Sequence, residues 1–167
     1  AIPAALYSAF GFSGQKCSAL SRLIVLDEVY DHFVERFVAA AASYPIGDPQ
    51  QPGTIIGPVI DADAQKKILG LVEQGKKEAK LAWQGAVPSE GYFVPPTIFT
   101  HVKPEHVIAR EEIFGPVVAI LRAKNLDEAF ALVNGVEYAL TGGLFSRSPR
   151  ALERAQTELL VGNLYLN

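Results

Sequence analysis

The stretch that decides the fold is Arg22-Leu23-Ile24-Val25-Leu26-Asp27-Glu28-Val29-Tyr30. After Arg22 its first residues are aliphatic or β-branched, which predicts a short buried strand over residues 22–26. Asp27 is a helix-capping residue type, and Glu28 is favourable in a first helical turn. Apolar residues then recur every 3.6 positions on one face of the predicted helix: Val29, Tyr30, Phe33, Val34, Phe37, Val38 and Ala41. A buried strand that leads directly into an amphipathic helix is the building unit of an α/β domain.

Strand and helix patterns alternate on both sides of this unit. Further helices are predicted over residues 3–10, from Asp61 or Asp63, from Asn125 to about Gly135, and from Ser148 to about Glu158. Further strands are predicted over residues 80–83, 97–100, 117–123, 142–145 and 161–166. The strand over 97–100 follows two prolines, which predicts an edge position. Because the strands are apolar on both faces, we expect an α/β fold with a mostly parallel sheet in three αβα layers.

Composition limits the function classes. The chain has 167 residues, 49% of them apolar and 20% charged, which predicts one domain with a hydrophobic core. The net charge is −3 and there is no basic block, which argues against a nucleic-acid partner. No apolar run approaches the roughly 20 residues of a transmembrane helix. The chain lacks methionine and stops just after a strand-like run, so we expect it to be a piece of a longer protein, truncated at both ends.

The single cysteine, Cys17, lies in Phe10-Gly11-Phe12-Ser13-Gly14-Gln15-Lys16-Cys17-Ser18, called here the cysteine loop. A lone cysteine is most often a small buried hydrophobe. Here the glycine turn and the polar neighbours Lys16 and Ser18 favour a reactive thiol instead, because a nearby cation stabilises a thiolate. Backbone N–H groups of such a turn are also suited to bind an oxyanion.

A cysteine hydrolase needs a histidine base near its thiol, and the chain offers no obvious candidate for one. We expect His32 at the solvent edge of its helix, and His101 and His106 in a surface loop. With one cysteine, a cysteine-rich metal site is excluded, and no metal site is predicted. Neither G-x-G-x-x-G nor the P-loop motif occurs, so the chain holds no nucleotide site of its own.

Two motifs resemble those of the aldehyde dehydrogenase superfamily. The first eight residues of the cysteine loop match F-x-x-x-G-Q-x-C, and Glu112-Ile113-Phe114-Gly115-Pro116 matches E-x-F-G-P. Their order and separation are those of the superfamily. The resemblance covers the whole chain and implies that residues 1–167 are a truncated, cysteine-bearing catalytic domain. It also implies that the dinucleotide-binding domain lies outside this chain.

Residues 11–19, 141–147 and 161–165 are similar to the 1-pyrroline-5-carboxylate dehydrogenase branch of that superfamily. This similarity implies NAD-dependent oxidation of L-glutamate γ-semialdehyde to glutamate in proline catabolism, with NADP as the alternative cofactor. It further implies a small-molecule aldehyde substrate and a homo-oligomeric parent enzyme, separate or fused to proline dehydrogenase. The expected location is the cytoplasm, or the mitochondrial matrix in a eukaryote.

The resemblance implies a role for each of four residues. The Cys17 thiolate attacks the aldehyde carbon, Glu112 binds the nicotinamide ribose, Phe114 packs near the nicotinamide, and Ser18 holds the substrate α-carboxylate. Without the resemblance, Glu112 and Glu111 are interpreted as a solvated pair of charges, and Phe114 as a core residue, because charged residues are usually exposed and phenylalanine is usually buried.

Gly14 and Gly115 are expected to allow close approach of backbone to the site, and Lys16 receives no role. Three alternatives remain open. In the first, the fragment is a non-catalytic α/β scaffold. In the second, it is a thiol acyltransferase or hydrolase that uses Cys17 without NAD. In the third, it is part of an aldehyde dehydrogenase with another substrate. The isolated fragment is expected to be inactive, because the general base and the cofactor domain of the superfamily lie outside it.

Overall fold

The computed structural model describes residues 1–167 and contains six α-helices and six strands. In chain order these are α1 (Ile2–Phe10), β1 (Arg22–Leu26), α2 (Asp27–Ala41), α3 (Ala62–Glu78), β2 (Lys80–Gln84), β3 (Thr97–Val102), α4 (Val107–Arg110), β4 (Val117–Ala123), α5 (Leu126–Asn134), β5 (Thr141–Leu144), α6 (Pro149–Glu158) and β6 (Asn163–Leu166). A 3₁₀ turn, Gly11–Gly14, follows α1 directly. Every strand and helix predicted from the sequence is present, and only the one-turn helix α4 was not predicted.

Four strands form the main sheet, in the spatial order β1-β4-β3-β2. Strands β1 and β3 both run parallel to β4, and β2 is antiparallel to β3 at one edge. The remaining strands, β5 and β6, pair in parallel as a separate two-stranded sheet. The predicted α/β fold with a mainly parallel sheet is therefore confirmed, although its strands divide into two sheets.

The central strand β4 shows why the domain has three layers. Val118 and Ile120 pack with α1 and α2 in one core cluster, whereas Val117, Ala119 and Leu121 pack with α3 and α4 in another. All five side chains are buried. Since successive side chains of a strand point to opposite faces, both faces of β4 need a covering layer of helices.

The predicted edge position of β3 is wrong. It lies between β4 and β2, and both Ile98 and Phe99 are fully buried. The prolines are compatible with this interior position because Pro95 and Pro96 precede the strand, so neither removes a donor from its ladder. His101 also departs from expectation: it lies within β3 at a bulge, with φ of 55°, and not in a loop.

The helix starts refine the predicted caps. Asp61 and Asn125 do cap α3 and α5, accepting hydrogen bonds from Ala64 N at 2.8 Å and Glu128 N at 2.9 Å. Asp27, however, is the first residue of α2 and caps nothing with its side chain. Its carboxylate pairs instead with Arg122 Nε at 3.2 Å. Val29 is 53% exposed, so it lies outside the buried face predicted for this helix.

A smaller layer forms around α5, α6, β5 and β6. Phe130, Ala155 and Leu159 make its core. Arg154 joins the two helices, since its guanidinium contacts Asp127 Oδ1 at 2.7 Å and Glu158 Oε1 at 2.6 Å. No helix of the chain combines the length and apolar character that a membrane crossing requires.

Candidate active site

The cysteine loop begins with a strained turn. Phe12, Ser13 and Gly14 have consecutive φ values of 54°, 56° and 68°, the left-handed region that costs non-glycine residues about 1 kcal/mol or more each. Two side chains hold the turn in place. The buried hydroxyl of Ser13 donates to Gly57 O at 2.8 Å, and Gln15 Oε1 accepts from Ile60 N at 3.0 Å. The segment over residues 57–60 therefore fixes the turn that precedes Cys17.

A direct contact of backbone on backbone joins this turn to the loop over residues 111–116, called here the glutamate loop. A Cβ added at Gly14 would lie 2.5 Å from the Gly115 carbonyl carbon and closer still to its oxygen. A Cβ added at Gly115 would lie 2.7 Å from Ile68 Cδ1. The close backbone approach predicted for both glycines is confirmed. A side chain at Gly14 would push the two loops apart, whereas a side chain at Gly115 would meet Ile68 of α3.

The contact brings together residues from both predicted motifs. Cys17, Glu112 and Phe114 line one small cleft of about 40 Å³. Cys17 is exposed, so a small molecule can reach its Sγ atom. Phe114 has φ of 57° and is 42% exposed, which contradicts its alternative reading as a core residue. Glu112 is exposed, as the alternative of a solvated pair also requires.

The structure does not bring every predicted residue into the cleft. Ser18 is exposed next to Cys17 but is not among the lining residues. None of the three histidines lines the cleft: His32 is exposed on α2 as expected, His101 lies in β3, and His106 precedes α4. The chain therefore supplies no imidazole base for Cys17 at this site.

A comparison with models of known protein families shows which family the chain belongs to. Residues 1–167 match the aldehyde dehydrogenase family. The chain belongs to the aldehyde dehydrogenase family.

The relatives of this aldehyde dehydrogenase chain include several proteins named 1-pyrroline-5-carboxylate dehydrogenase. It is 49% identical over 161 residues to 1-pyrroline-5-carboxylate dehydrogenase of Geobacillus sp. (strain WCH70), covering 96% of this chain and 31% of that protein. Proline utilization A (PutA) from Bdellovibrio bacteriovorus, inactivated by N-propargylglycine, superposes with a TM-score of 0.97 and 55% identity, covering 99% of this chain and 17% of that one. 1-Pyrroline-5-carboxylate dehydrogenase from Thermus with bound NAD superposes with a TM-score of 0.95 and 43% identity, covering 99% of this chain and 32% of that one.

The chain thus spans about a third of the length of the dehydrogenases that it matches. Its cleft opens beside a larger groove of about 820 Å³, and Glu112 and Tyr138 line both. This groove is mostly polar, with Glu105, Arg110, Glu111 and Glu137 among its lining residues. No group of three potential metal ligands is present in the chain.

The sequence reasoning missed one residue of this aldehyde dehydrogenase site, Tyr138, and one residue near it, Arg22. Tyr138 lines the cleft, and its hydroxyl is buried without a hydrogen-bond partner. Arg22, at the start of β1, donates from Nη2 to Leu132 O at 2.6 Å, at the carboxyl end of α5 where a cation is favourable. Burial lowers the pKa of the Arg22 guanidinium, and the nearby Tyr138 opposes that shift. The signal in the sequence was an arginine opening an otherwise aliphatic strand.

Proposed function

We propose that the protein containing this chain oxidises L-glutamate γ-semialdehyde to glutamate with NAD, in proline catabolism. The observation that carries the proposal is the shared cleft, in which an exposed thiol lies with Glu112 and Phe114. The names of the relatives, 1-pyrroline-5-carboxylate dehydrogenase, support this choice of substrate. Within that protein, residues 1–167 are the cysteine-bearing catalytic domain.

Cys17 supplies the nucleophile. Its thiolate attacks the aldehyde carbon, so that a C–S bond forms and the carbonyl oxygen becomes an oxyanion. The backbone N–H of Cys17 donates to that oxyanion, an arrangement that stabilises charge as it develops. Loss of hydride from the same carbon turns the thiohemiacetal into a thioester. Water then cleaves the C–S bond, which releases glutamate and restores the thiolate.

The residues of the cleft and of the adjoining groove fit NAD. The outward-facing ring of Phe114 offers an apolar surface for the nicotinamide, and the exposed carboxylate of Glu112 offers acceptors for ribose hydroxyls. A groove of about 820 Å³ is large enough for part of a dinucleotide. When bound there, NAD serves as the hydride acceptor of the reaction. NADP remains the alternative, since the adenosine end would contact residues outside this chain.

Ser18 and the parent protein complete the proposal. The exposed Ser18 hydroxyl, next to the nucleophile, donates to the α-carboxylate of the substrate. The parent is a homo-oligomer in the cytoplasm, either separate or fused to proline dehydrogenase. The likeness to proline utilization A supports the fused form. An unpaired thiol also suits a reducing compartment.

The test uses the full-length protein. We expect Cys17→Ala to abolish NADH formation from L-glutamate γ-semialdehyde while thermal unfolding and NAD binding stay near those of the wild type. Retained turnover would contradict the role of Cys17. If the wild type forms no NADH but hydrolyses thioesters or transfers acyl groups, the alternative of a thiol hydrolase or acyltransferase is correct. A wild type with neither activity supports the scaffold alternative, and faster oxidation of another aldehyde changes the substrate.

A further inference from the structure

Lys16, immediately before Cys17, carries an ammonium group held by aromatic rings. Its Nζ atom lies 5.2 Å from the centre of the Tyr7 ring and 5.5 Å from the centre of the Phe12 ring, within the range of a cation–π contact. None of the ion pairs in the chain includes Lys16. The charge of the residue that precedes Cys17 in the chain is therefore positioned but not paired with a carboxylate.

Both rings are exposed, and the exposure of Phe12 comes with backbone strain. Phe12 is 71% exposed and has φ of 54°, a conformation that is rare for a bulky side chain. Tyr7 is 58% exposed. Neither ring contributes much to the core. Backbone strain combined with exposed aromatic surface points to a role in binding.

Aromatic rings and carboxylates hold an ammonium group with different consequences. A ring attracts the cation through its quadrupole and has no net charge, so the positive charge stays available to a ligand. A carboxylate in the same place would cancel that charge and repel an anion. The Lys16 ammonium is thus prepared to receive a negatively charged group.

The charges lining the cleft also give the ligand a direction. Lys16 is the only cation among the lining residues, and Glu112 is the only anion. An aldehyde that carries a carboxylate is attracted towards Lys16 and repelled from Glu112. The uncharged aldehyde group is then left free to meet the exposed Cys17.

We propose that Lys16 determines specificity for acidic aldehydes by binding the substrate carboxylate. The proposal rests on the proposed function, and it adds a charged contact to the hydroxyl contact assigned to Ser18. It also explains why the turn tolerates an exposed phenylalanine in a left-handed conformation, since this ring helps to hold the Lys16 ammonium group in place.

The experiment measures aldehyde oxidation by the full-length protein with three substrates of the same chain length: L-glutamate γ-semialdehyde, 5-oxopentanoate and pentanal. Only the first two carry a carboxylate. The variants are Lys16→Met, which removes the charge, and Lys16→Arg, which keeps it. Lys66→Met is the matched control, because Lys66 is an exposed lysine on α3 outside the cleft.

We expect Lys16→Met to raise KM for both acidic aldehydes about tenfold, the size of a charge-assisted hydrogen bond, and to change KM for pentanal by less than about twofold. Lys16→Arg and Lys66→Met should stay near the wild type. Added NaCl should raise the wild-type KM for acidic aldehydes and have little effect in Lys16→Met, because salt screens charge pairs.

Two results would overturn the proposal. Equal KM changes for pentanal and the acidic aldehydes would make Lys16 a structural residue. No KM change in Lys16→Met would leave it without a role in binding. Both results differ from failure of the proposed function, in which the wild type itself forms no NADH from any aldehyde and both proposals fall.

Discussion

Gly14 and Gly115 meet backbone to backbone, with no room for a β-carbon at Gly14. This contact joins the cysteine loop to the glutamate loop, which the chain order separates by most of the domain. Because no flexible side chain intervenes, the position of Cys17 relative to Glu112 depends directly on this contact. Small changes here should therefore affect both stability and chemistry.

Gly14→Ala should be destabilising. The added methyl group meets the Gly115 carbonyl, and φ of 68° is unfavourable for alanine. We expect a loss of about 2 kcal/mol or more in unfolding free energy and a fall in kcat/KM, measured on the full-length protein. Gly70→Ala is the control, because nothing lies within 4 Å of its added methyl group and alanine suits a helix interior. Equal stability of the two variants would show that the loops yield easily.

The variants Glu112→Gln and Phe114→Leu test the proposed contacts with NAD. Each should raise KM for NAD by about tenfold, the loss of one charged hydrogen bond or of one stacking surface. Alkylation of Cys17 by iodoacetamide without NAD should proceed as in the wild type, since neither change alters the thiol. Glu35→Gln, at an exposed position on α2 outside both the cleft and the groove, is the matched control. Unchanged KM for NAD in both variants would support the solvated-pair reading of Glu112.

Ser18→Ala should affect the acidic substrate selectively. Losing one hydroxyl donor corresponds to about a three- to tenfold rise in KM for L-glutamate γ-semialdehyde. KM for pentanal should change little, because pentanal has no carboxylate for the hydroxyl to bind. Steady-state kinetics of the full-length protein measure both values. A similar rise for both aldehydes would remove the carboxylate role of Ser18.

The raised pKa of the Tyr30 phenol predicts a loss of stability at alkaline pH. Burial raises the pKa of its phenol, with the His101 backbone hydrogen bond and Arg122 acting in the opposite direction. A raised pKa in the folded state means that the stabilising contribution is complete below about pH 10 and is lost as pH rises through the folded value. Urea unfolding between pH 8 and 11 should show a decline that is smaller in Tyr30→Phe. Tyr44, which burial shifts in the same direction, accounts for a residual decline. An equal decline in both proteins would exclude Tyr30 as its source.

Local patterns were enough to locate the elements of this chain. The apolar run over residues 22–26, the 3.6-residue period of α2 and the capping types Asp61, Asn125 and Ser148 all depend on residues close in sequence. For that reason every predicted strand and helix is present, although β3 continues to Val102 and β6 begins at Asn163 and not at Val161. The two motifs were recognised in the same way, since each is a short contiguous segment.

The position of a strand in the sheet and the partner of a charged side chain depend on which distant segments pack together. A local sequence pattern carries no information about such packing. Pro95 and Pro96 suggested an edge for β3, but β2 pairs with its free side, and Ile98 and Phe99 are buried. The expected role of Asp27 as a cap failed because Arg122, far along the chain, offers its carboxylate a charged partner.

The sequence by itself determined the α/β alternation, the family and the residue types of the site, because these are carried by short contiguous patterns. The tertiary structure alone decided how the site is assembled. It placed Gly14 against Gly115, left Ser18 outside the cleft, added Tyr138 to its wall and set Lys16 against two exposed rings. These contacts join segments distant in the chain, and their geometry follows from packing around the common sheet.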